Sequence, residues 1–142
     1  MRHPSFDEDD DQSRSVIFRV CLIVLATLCF LAPRSCIAAG DVDRGAIVFD
    51  GYCAECHQTE ANAPVKKGPT LFRIVGRRAG QIPGFDYSPA NKSIDLVFDE
   101  PTLERYLTLP KAVIPGTKMS TFPGIPTEPE RRDLIAYLAT LK

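Results

Sequence analysis

The chain has 142 residues, of which 17 are Lys or Arg and 18 are Asp or Glu, giving a formal net charge of −1. This length allows one domain plus an appendage, and the near-neutral balance provides no global basic surface for nucleic acid. We therefore expect a single domain that does not bind nucleic acid.

Residues 1–39 have the features of a secretory signal peptide. Arg14 and Arg19 precede an uncharged apolar run over residues 20–32, and the segment ends in small residues. A basic region, a short apolar run and a small-residue cleavage site are typical of such peptides. We predict cleavage at the end of this segment, which leaves a mature domain over residues 40–142. The alternative is an uncleaved N-terminal membrane anchor, for which the apolar run is short compared with the ~20 residues of a spanning helix.

The mature domain opens with a predicted helix. Asp41 is a suitable N-cap, and Val42, Ala46 and Phe49 recur at helical spacing. Gly51 interrupts this pattern, so we expect the helix to end near it.

The segment Cys53-Ala54-Glu55-Cys56-His57 follows directly and has the attachment signature of c-type haem. Side chains three residues apart lie on one face of a helical turn, so both sulfurs can reach the two vinyl groups of one porphyrin. His57 can then point its imidazole at the iron. Zinc sites and redox dithiols also contain CxxC pairs. A zinc site needs further ligands, however, and neither cysteine nor histidine follows His57, while a thioredoxin-like dithiol expects a βαβ pattern that is missing here.

Glycine and proline interrupt the chain repeatedly between residues 61 and 126, which predicts loops with short helices between them. Ser88-Pro89 has a capping serine followed by a proline suited to the first helical position. Pro101 can open another helix. Farther on, a capping box, Thr127-x-x-Glu130, predicts the start of a C-terminal helix. The predicted buried stripe of that helix contains Leu134, Ile135, Leu138 and Leu141.

So few regular elements, with no convincing strand, would bury only a thin core. A large, flat, apolar cofactor resolves this difficulty, because loops can bury their apolar side chains against its faces. We therefore predict that haem forms part of the core and that the apoprotein is largely unfolded.

Few of the remaining residues can provide a sixth ligand to the iron. In residues 40–142 the only histidine is His57 and the only methionine is Met119. His and Met are a common axial pair of c-type haem iron. Met119 lies in a turn-rich loop that can carry its sulfur to the far side of the ring. The alternatives are that Met119 only fills the core, or that Lys118 or Lys111 binds the iron after losing its proton.

With these motifs the chain resembles a class I cytochrome c, in particular the mitochondrial cytochrome c and bacterial cytochrome c2 group. The resemblance covers residues 40–142 and implies an all-α fold in which short helices and loops wrap around one covalently attached haem c. The motifs that carry it, in order, are Gly40-Asp41-Val42 with Gly45 and Phe49, Cys53-x-x-Cys56-His57, Gly68-Pro69, Val75-Gly76-Arg77-Arg78-x-Gly80, Pro83-Gly84-Phe85-x-Tyr87, Ala90-Asn91-Lys92, Tyr106-Leu107, Ile114-Pro115-Gly116-Thr117-Lys118-Met119 and Asp133-Leu134-Ile135-Ala136-Tyr137-Leu138.

The resemblance also assigns roles to single residues. It implies that Cys53 and Cys56 attach the haem and that His57 and Met119 bind its iron. The Pro69 carbonyl would accept a hydrogen bond from the second nitrogen of His57, which fixes the orientation of the ring.

Five polar residues match positions near the haem in this family. The residues around the propionates and an inner water are matched by Arg77, Tyr87 and Asn91. Tyr106 and Thr117 match those beside the methionine sulfur. The resemblance further implies that the N- and C-terminal helices cross closely at Gly45, with Phe49 packed near Leu134 and Tyr137.

The chain departs from the family pattern in three ways. Phe98 stands where the family usually has tryptophan, so an indole N–H donor to one propionate is missing. The segment after Met119 is one residue longer than in the mitochondrial pattern, and we expect its Phe122 to shield the haem edge. Several lysines of the exposed edge are also absent, so we predict a weaker and more salt-tolerant encounter with acidic partners. The cations that remain are Lys66, Lys67, Arg78, Lys111 and Lys118.

The resemblance implies a soluble, periplasmic, monomeric carrier of single electrons that is not an enzyme. Its donor would be similar to a quinol–cytochrome c reductase, and its acceptor to a terminal oxidase or a photosynthetic reaction centre. Contact with the membrane would occur only through these partners unless residues 1–39 are retained. One alternative is a carrier with the same chemistry anchored to the inner membrane. Another is a haem peroxidase or gas sensor, which requires an open position on the iron.

Overall fold

The computed structural model describes residues 39–142, in which long loops connect short helices. The five helices of this part of the chain are α1 (Val42–Tyr52), α2 (Pro89–Ser93), α3 (Glu100–Thr108), α4 (Pro110–Val113) and α5 (Glu128–Thr140). The only extended pairing in these residues is an isolated antiparallel bridge between Arg78 and Val97. The prediction of an all-α fold is confirmed.

The predicted signal peptide or membrane anchor lies, except for Ala39, outside the residues that the structure describes. Its role and its cleavage therefore stay predictions. Within residues 39–142 there is no helix whose length and apolar character would let it cross a membrane.

Side-chain caps explain where three of the helices begin. Asp41 accepts the backbone N–H of Arg44 at 3.0 Å at the start of α1, and Ser88 caps α2 directly before its first residue, Pro89. Helix α3 begins at Glu100 rather than at Pro101, because Asp99 accepts the N–H of Thr102 at 2.8 Å. An aspartate at the N-cap satisfies a backbone donor that the helix leaves unpaired.

Helix α5 begins where the capping box predicts, but the hydrogen bonds of a capping box are not formed. Thr127 is the N-cap residue, but its side chain makes no cap hydrogen bond. Its hydroxyl instead donates to the Glu130 carboxylate at 2.6 Å, a charge-assisted bond that takes the place of the bond to the backbone. Three members of the predicted stripe are buried as expected, whereas Leu141 lies one residue beyond the helix and is only partly buried.

Helices α1 and α5 cross in close contact. A Cβ atom on Gly45 would lie 2.1 Å from the Asp133 carbonyl oxygen and 2.7 Å from Tyr137 Cβ, so only glycine fits there. The Phe49 and Tyr137 rings pack with their centroids 5.6 Å apart. The predicted crossing is therefore confirmed. Val42 shares the helical spacing of Phe49 but is 42% exposed, because the face of α1 turned to α5 is centred on Gly45 and Phe49.

Candidate functional site

One cavity of about 570 Å³ brings together residues that are far apart in the sequence. Its lining includes all ten residues that the sequence predicts to bind the cofactor. These are Cys53, Cys56, His57, Pro69, Arg77, Tyr87, Asn91, Tyr106, Thr117 and Met119. A cavity of this size with a mostly apolar lining and a few polar groups is typical of a cofactor site.

The end of α1 positions the two thiols. The chain leaves the helix at Cys53, and the backbone N–H groups of Cys56 and His57 both donate to the Cys53 carbonyl, at 3.0 and 2.8 Å. This turn holds the two cysteines and the histidine at the cavity wall. Neither cysteine forms a disulfide with another described residue, and Cys53 is buried while Cys56 is half-buried. Burial, followed by the nearby Cys56, raises the pKa of Cys53 to about 12, so its thiol is neutral near pH 7.

The imidazole of His57 is held from behind by the Gly68-Pro69 segment. Its Nδ1–H donates to the Pro69 carbonyl oxygen at 2.8 Å, which is the contact expected from the resemblance. A Cβ atom on Gly68 would lie only 2.4 Å from the ring, so glycine lets the backbone pass against it. Burial lowers the pKa of His57, the bond to Pro69 opposes this, and Arg77 lowers the pKa further. A neutral ring with Nδ1 engaged presents Nε2 as its metal-binding atom.

The Met119 loop is fixed by hydroxyl groups. The Met119 N–H donates to the Thr117 hydroxyl at 3.2 Å, and that hydroxyl lies 3.4 Å from the Tyr106 hydroxyl on α3. Thr117 and Tyr106 are buried, and Met119 is partly buried. Burial raises the pKa of Tyr106, and the contact with Thr117 opposes that rise. The loop thus presents a thioether, a soft ligand that suits haem iron.

Polar groups from the 70–91 region line another part of the cavity. Arg77 donates to the carbonyl oxygens of Phe72 and Thr70, at 2.6 and 2.9 Å. The Tyr87 hydroxyl accepts the Ile82 N–H at 3.3 Å. Asn91 accepts a bond from the Ser88 hydroxyl at 3.0 Å, in a buried contact. Burial lowers the pKa of Arg77, with Tyr87 acting against it, but a guanidinium stays charged and can face a carboxylate.

Two aromatic residues singled out as departures from the family pattern also line this cavity. Phe98 is buried, and its ring meets that of Tyr106 edge-on, with centroids 5.2 Å apart. It therefore fills apolar space but offers no hydrogen-bond donor. Phe122 is partly buried in the cluster that surrounds the cavity.

Sequence reasoning missed part of the apolar lining. Leu71 and Ile74 lie in a loop without helical periodicity, yet both line the cavity, and Ile74 is 6% exposed. The only sequence signal was their position between the Gly68-Pro69 and Val75-Gly76 motifs. Ser88, which the sequence predicts only as a helix cap, also lines the cavity.

The residues present fit a haem. The cavity has room for a large planar group, two thiols lie on one turn, and a neutral imidazole and a thioether occupy other parts of its lining. Thiols form thioether bonds with the ring substituents, and nitrogen and sulfur are the ligands found in c-type sites.

Comparison with known proteins agrees with this chemistry. The family model for Cytochrome c matches residues 42–142. A cytochrome c from Sesamum indicum is 48% identical over 99 residues, covering 70% of this chain and 88% of the relative. A cytochrome c2 from Rhodoblastus acidophilus is 47% identical over 104 residues, covering 73% and 95%. A cytochrome c2 from Rhodomicrobium vannielii is 48% identical over 106 residues, covering 75% and 83%. The chain therefore belongs to the cytochrome c family, whose members carry electrons by means of a covalently bound haem c.

Proposed function

We propose that this protein carries single electrons on one haem c that is attached through Cys53 and Cys56 and bound at iron by His57 and Met119. The observation that supports this most strongly is the convergence of the ten predicted residues on one cavity. When bound, haem supplies a one-electron couple between Fe(III) and Fe(II).

Each part of the lining has a task in this proposal. The Pro69 carbonyl, 2.8 Å from His57 Nδ1, fixes the imidazole and makes it a better donor. Arg77, Tyr87 and Asn91 provide polar contacts for the propionates. Apolar side chains such as Ile74 and Phe98 exclude water, which keeps the change in charge within a poorly solvated site. A methionine ligand raises the potential of the couple.

The same geometry argues for a carrier rather than an enzyme. A peroxidase or gas sensor requires an iron position that is open or easily vacated. Here Met119 lies in a loop whose backbone is bonded to buried Thr117, which in turn contacts Tyr106. We infer that His57 and Met119 would both hold the iron and that no substrate is transformed.

The absorption spectrum of the oxidised holoprotein tests this ligation. We expect a low-spin spectrum with the weak long-wavelength band of an iron–methionine sulfur bond, and we expect Met119→Ala to lose that band. Lys111→Ala is the control, because Lys111 is exposed and its removal should leave the band unchanged if lysine is not the ligand. A high-spin wild-type spectrum without the band would favour the enzyme or sensor.

We further propose that residues 1–39 direct export and are removed, leaving residues 40–142 in the periplasm as a monomer. Its donor would then be similar to a quinol–cytochrome c reductase, and its acceptor to a terminal oxidase or a reaction centre. The basic and apolar pattern of residues 14–32 supports export. N-terminal sequencing of the native protein should begin at Gly40, whereas an intact N-terminus would favour the anchored carrier.

A further inference from the structure

A contact on the surface ties together two loops that line the cavity. The Lys118 ammonium donates to the Asp86 carboxylate at 2.6 Å and also to the Asp86 carbonyl oxygen. Lys118 directly precedes Met119, and Asp86 lies between Phe85 and Tyr87. Of these residues, Phe85, Tyr87, Lys118 and Met119 line the cavity. The contact thus joins the Met119 loop to a segment 32 residues away in the sequence.

The carboxylate of Asp86 has a second cationic neighbour. The Lys92 ammonium, on α2, lies 3.4 Å from its other oxygen. The hydrogen bond from Lys118, its charge and then Lys92 hold the pKa of Asp86 below its ordinary value. Asp86 is therefore ionised near pH 7. Its side chain is 83% exposed and that of Lys118 is 53% exposed, so salt screens their attraction.

We propose that Asp86 is a positioning residue that keeps the Met119 loop closed over the iron and so limits access of outside ligands. The proposal rests on the ligation of iron by Met119 proposed above. A bond that exists only in the closed loop favours that state over the open one by its own free energy. An exposed ion pair changes such an equilibrium by about 1.5- to 5-fold.

Binding of imidazole to the oxidised holoprotein measures loop opening, because imidazole reaches the iron only after Met119 has left it. We expect Asp86→Asn to bind imidazole about 1.5- to 5-fold more tightly than the wild type at ~10 mM ionic strength. The difference should become smaller at ~1 M salt, where the screening length of about 3 Å is close to the 2.6 Å length of the contact. Asn cannot supply the charge but leaves the backbone carbonyl in place, so this variant isolates the carboxylate.

Asp95→Asn is the matched control. Asp95 is 80% exposed and pairs with Arg78, which also lines the cavity. This change removes the same charge near the same cavity without touching the Lys118 contact. We expect its imidazole affinity to equal that of the wild type. Equal shifts in the two variants, or an Asp86→Asn shift that is the same at low and high salt, would overturn the proposal.

A double-mutant cycle separates the contact from general weakening of the loop. If Asp86 acts through Lys118, Asp86→Asn combined with Lys118→Gln should bind imidazole no more tightly than Lys118→Gln alone. Asp86→Glu, which keeps the charge, should recover part of the wild-type behaviour. Additive effects of the two substitutions would show that Asp86 acts through another group.

The two proposals fail in different ways. If the wild-type spectrum lacks the iron–sulfur band, the proposed ligation is wrong. If the band is present and imidazole binds wild type and Asp86→Asn equally at low salt, only the role of Asp86 is wrong.

Discussion

Two regions of this molecule use acidic residues in contrasting ways. At the crossing of α1 and α5, the Asp133 side chain is 9% exposed and accepts bonds from the Asp41 backbone at 2.7 Å and from Arg44 Nε at 2.8 Å. Around the cavity, Asp86 and Glu55 are 83% and 81% exposed and pair with lysines. The chemical groups are the same, but only the first carboxylate is part of a packed interface.

The difference indicates that the two regions contribute differently to stability. The helix crossing combines a buried acid with a contact too close for any side chain at Gly45, and it joins the two ends of the domain. It should therefore open only when the domain unfolds. The loops beside the cavity depend more on exposed pairs, so they should open locally at a smaller cost in free energy.

The largest effect is expected at the crossing itself. Gly45→Ala should lower the free energy of unfolding by about 2–3 kcal/mol, because its Cβ would overlap a backbone carbonyl that cannot rotate away. Gly51→Ala, in the same helix, is the control: Gly51 lines the cavity, but no protein atom beyond its own helix and chain neighbours lies within 4 Å of its Cβ. It should be neutral or stabilise the protein by up to about 1 kcal/mol, since alanine is the better helix former. Denaturant unfolding of the holoprotein measures the stability of both variants. Equal unfolding midpoints for Gly45→Ala and Gly51→Ala would contradict a tight helix crossing.

A smaller and pH-dependent effect is expected at Asp133. The bonds from Arg44 and then from the Asp41 backbone lower the pKa of Asp133 in the folded protein. A lowered folded pKa means that the carboxylate stabilises the fold fully above the unfolded value, about 3.9, and that this contribution is lost as pH falls through the folded pKa. Asp133→Asn should therefore lower stability by about 2 kcal/mol at pH 7.

The deficit of this variant should begin to shrink as the pH falls below about 3.9 and disappear below the lowered folded pKa of Asp133, where the wild-type carboxyl is protonated in the folded protein too. Asp43→Asn, which removes an exposed acid from the first turn of α1, serves as the control and should cost only a few tenths of a kcal/mol. Denaturant titrations across this pH range would measure both variants. A deficit in Asp133→Asn that stays constant with pH would contradict an ionised role for Asp133.

Local signals in the sequence predicted the helix starts and the Cys53–His57 turn, whereas the resemblance to class I cytochromes c implied the helix crossing and the polar residues of the cavity. Apart from the bond from His57 to Pro69, neither source predicted the details of bonding. The helix start at Ser88-Pro89 and the turn of the CxxCH segment each depend on a few consecutive residues, so a short sequence pattern is enough to predict them. The Thr127 hydroxyl can donate to the Glu130 carboxylate or accept a backbone N–H, and the spacing of the two residues does not decide between these bonds. Ile74 becomes buried only through contacts distant in sequence. The Asp86 contact with Lys118 was missed for the same reason, because 32 residues separate the partners.

The smallest effect concerns the exposed pairs around the cavity. Lys67 with Glu55, Arg78 with Asp95 and Lys118 with Asp86 place opposite charges side by side, which leaves little net charge to attract an acidic partner. The members of these pairs that line the cavity are Glu55, Lys67, Arg78 and Lys118. The rate at which the reduced holoprotein reduces anionic ferricyanide should therefore change by less than about twofold between low and high salt.

Removing one acid from this set should create the missing salt dependence. Glu55→Gln leaves Lys67 without its partner, so the reaction with ferricyanide should become faster at low salt and fall toward the wild-type rate as salt is added. Glu128→Gln makes the same change in charge on α5, where Glu128 pairs with Arg132 and does not line the cavity. It should leave the salt dependence close to that of the wild type. If the wild-type rate itself fell steeply with salt, the lysines would be acting as free charges, and the contrast between buried and exposed acids would not extend to partner recognition.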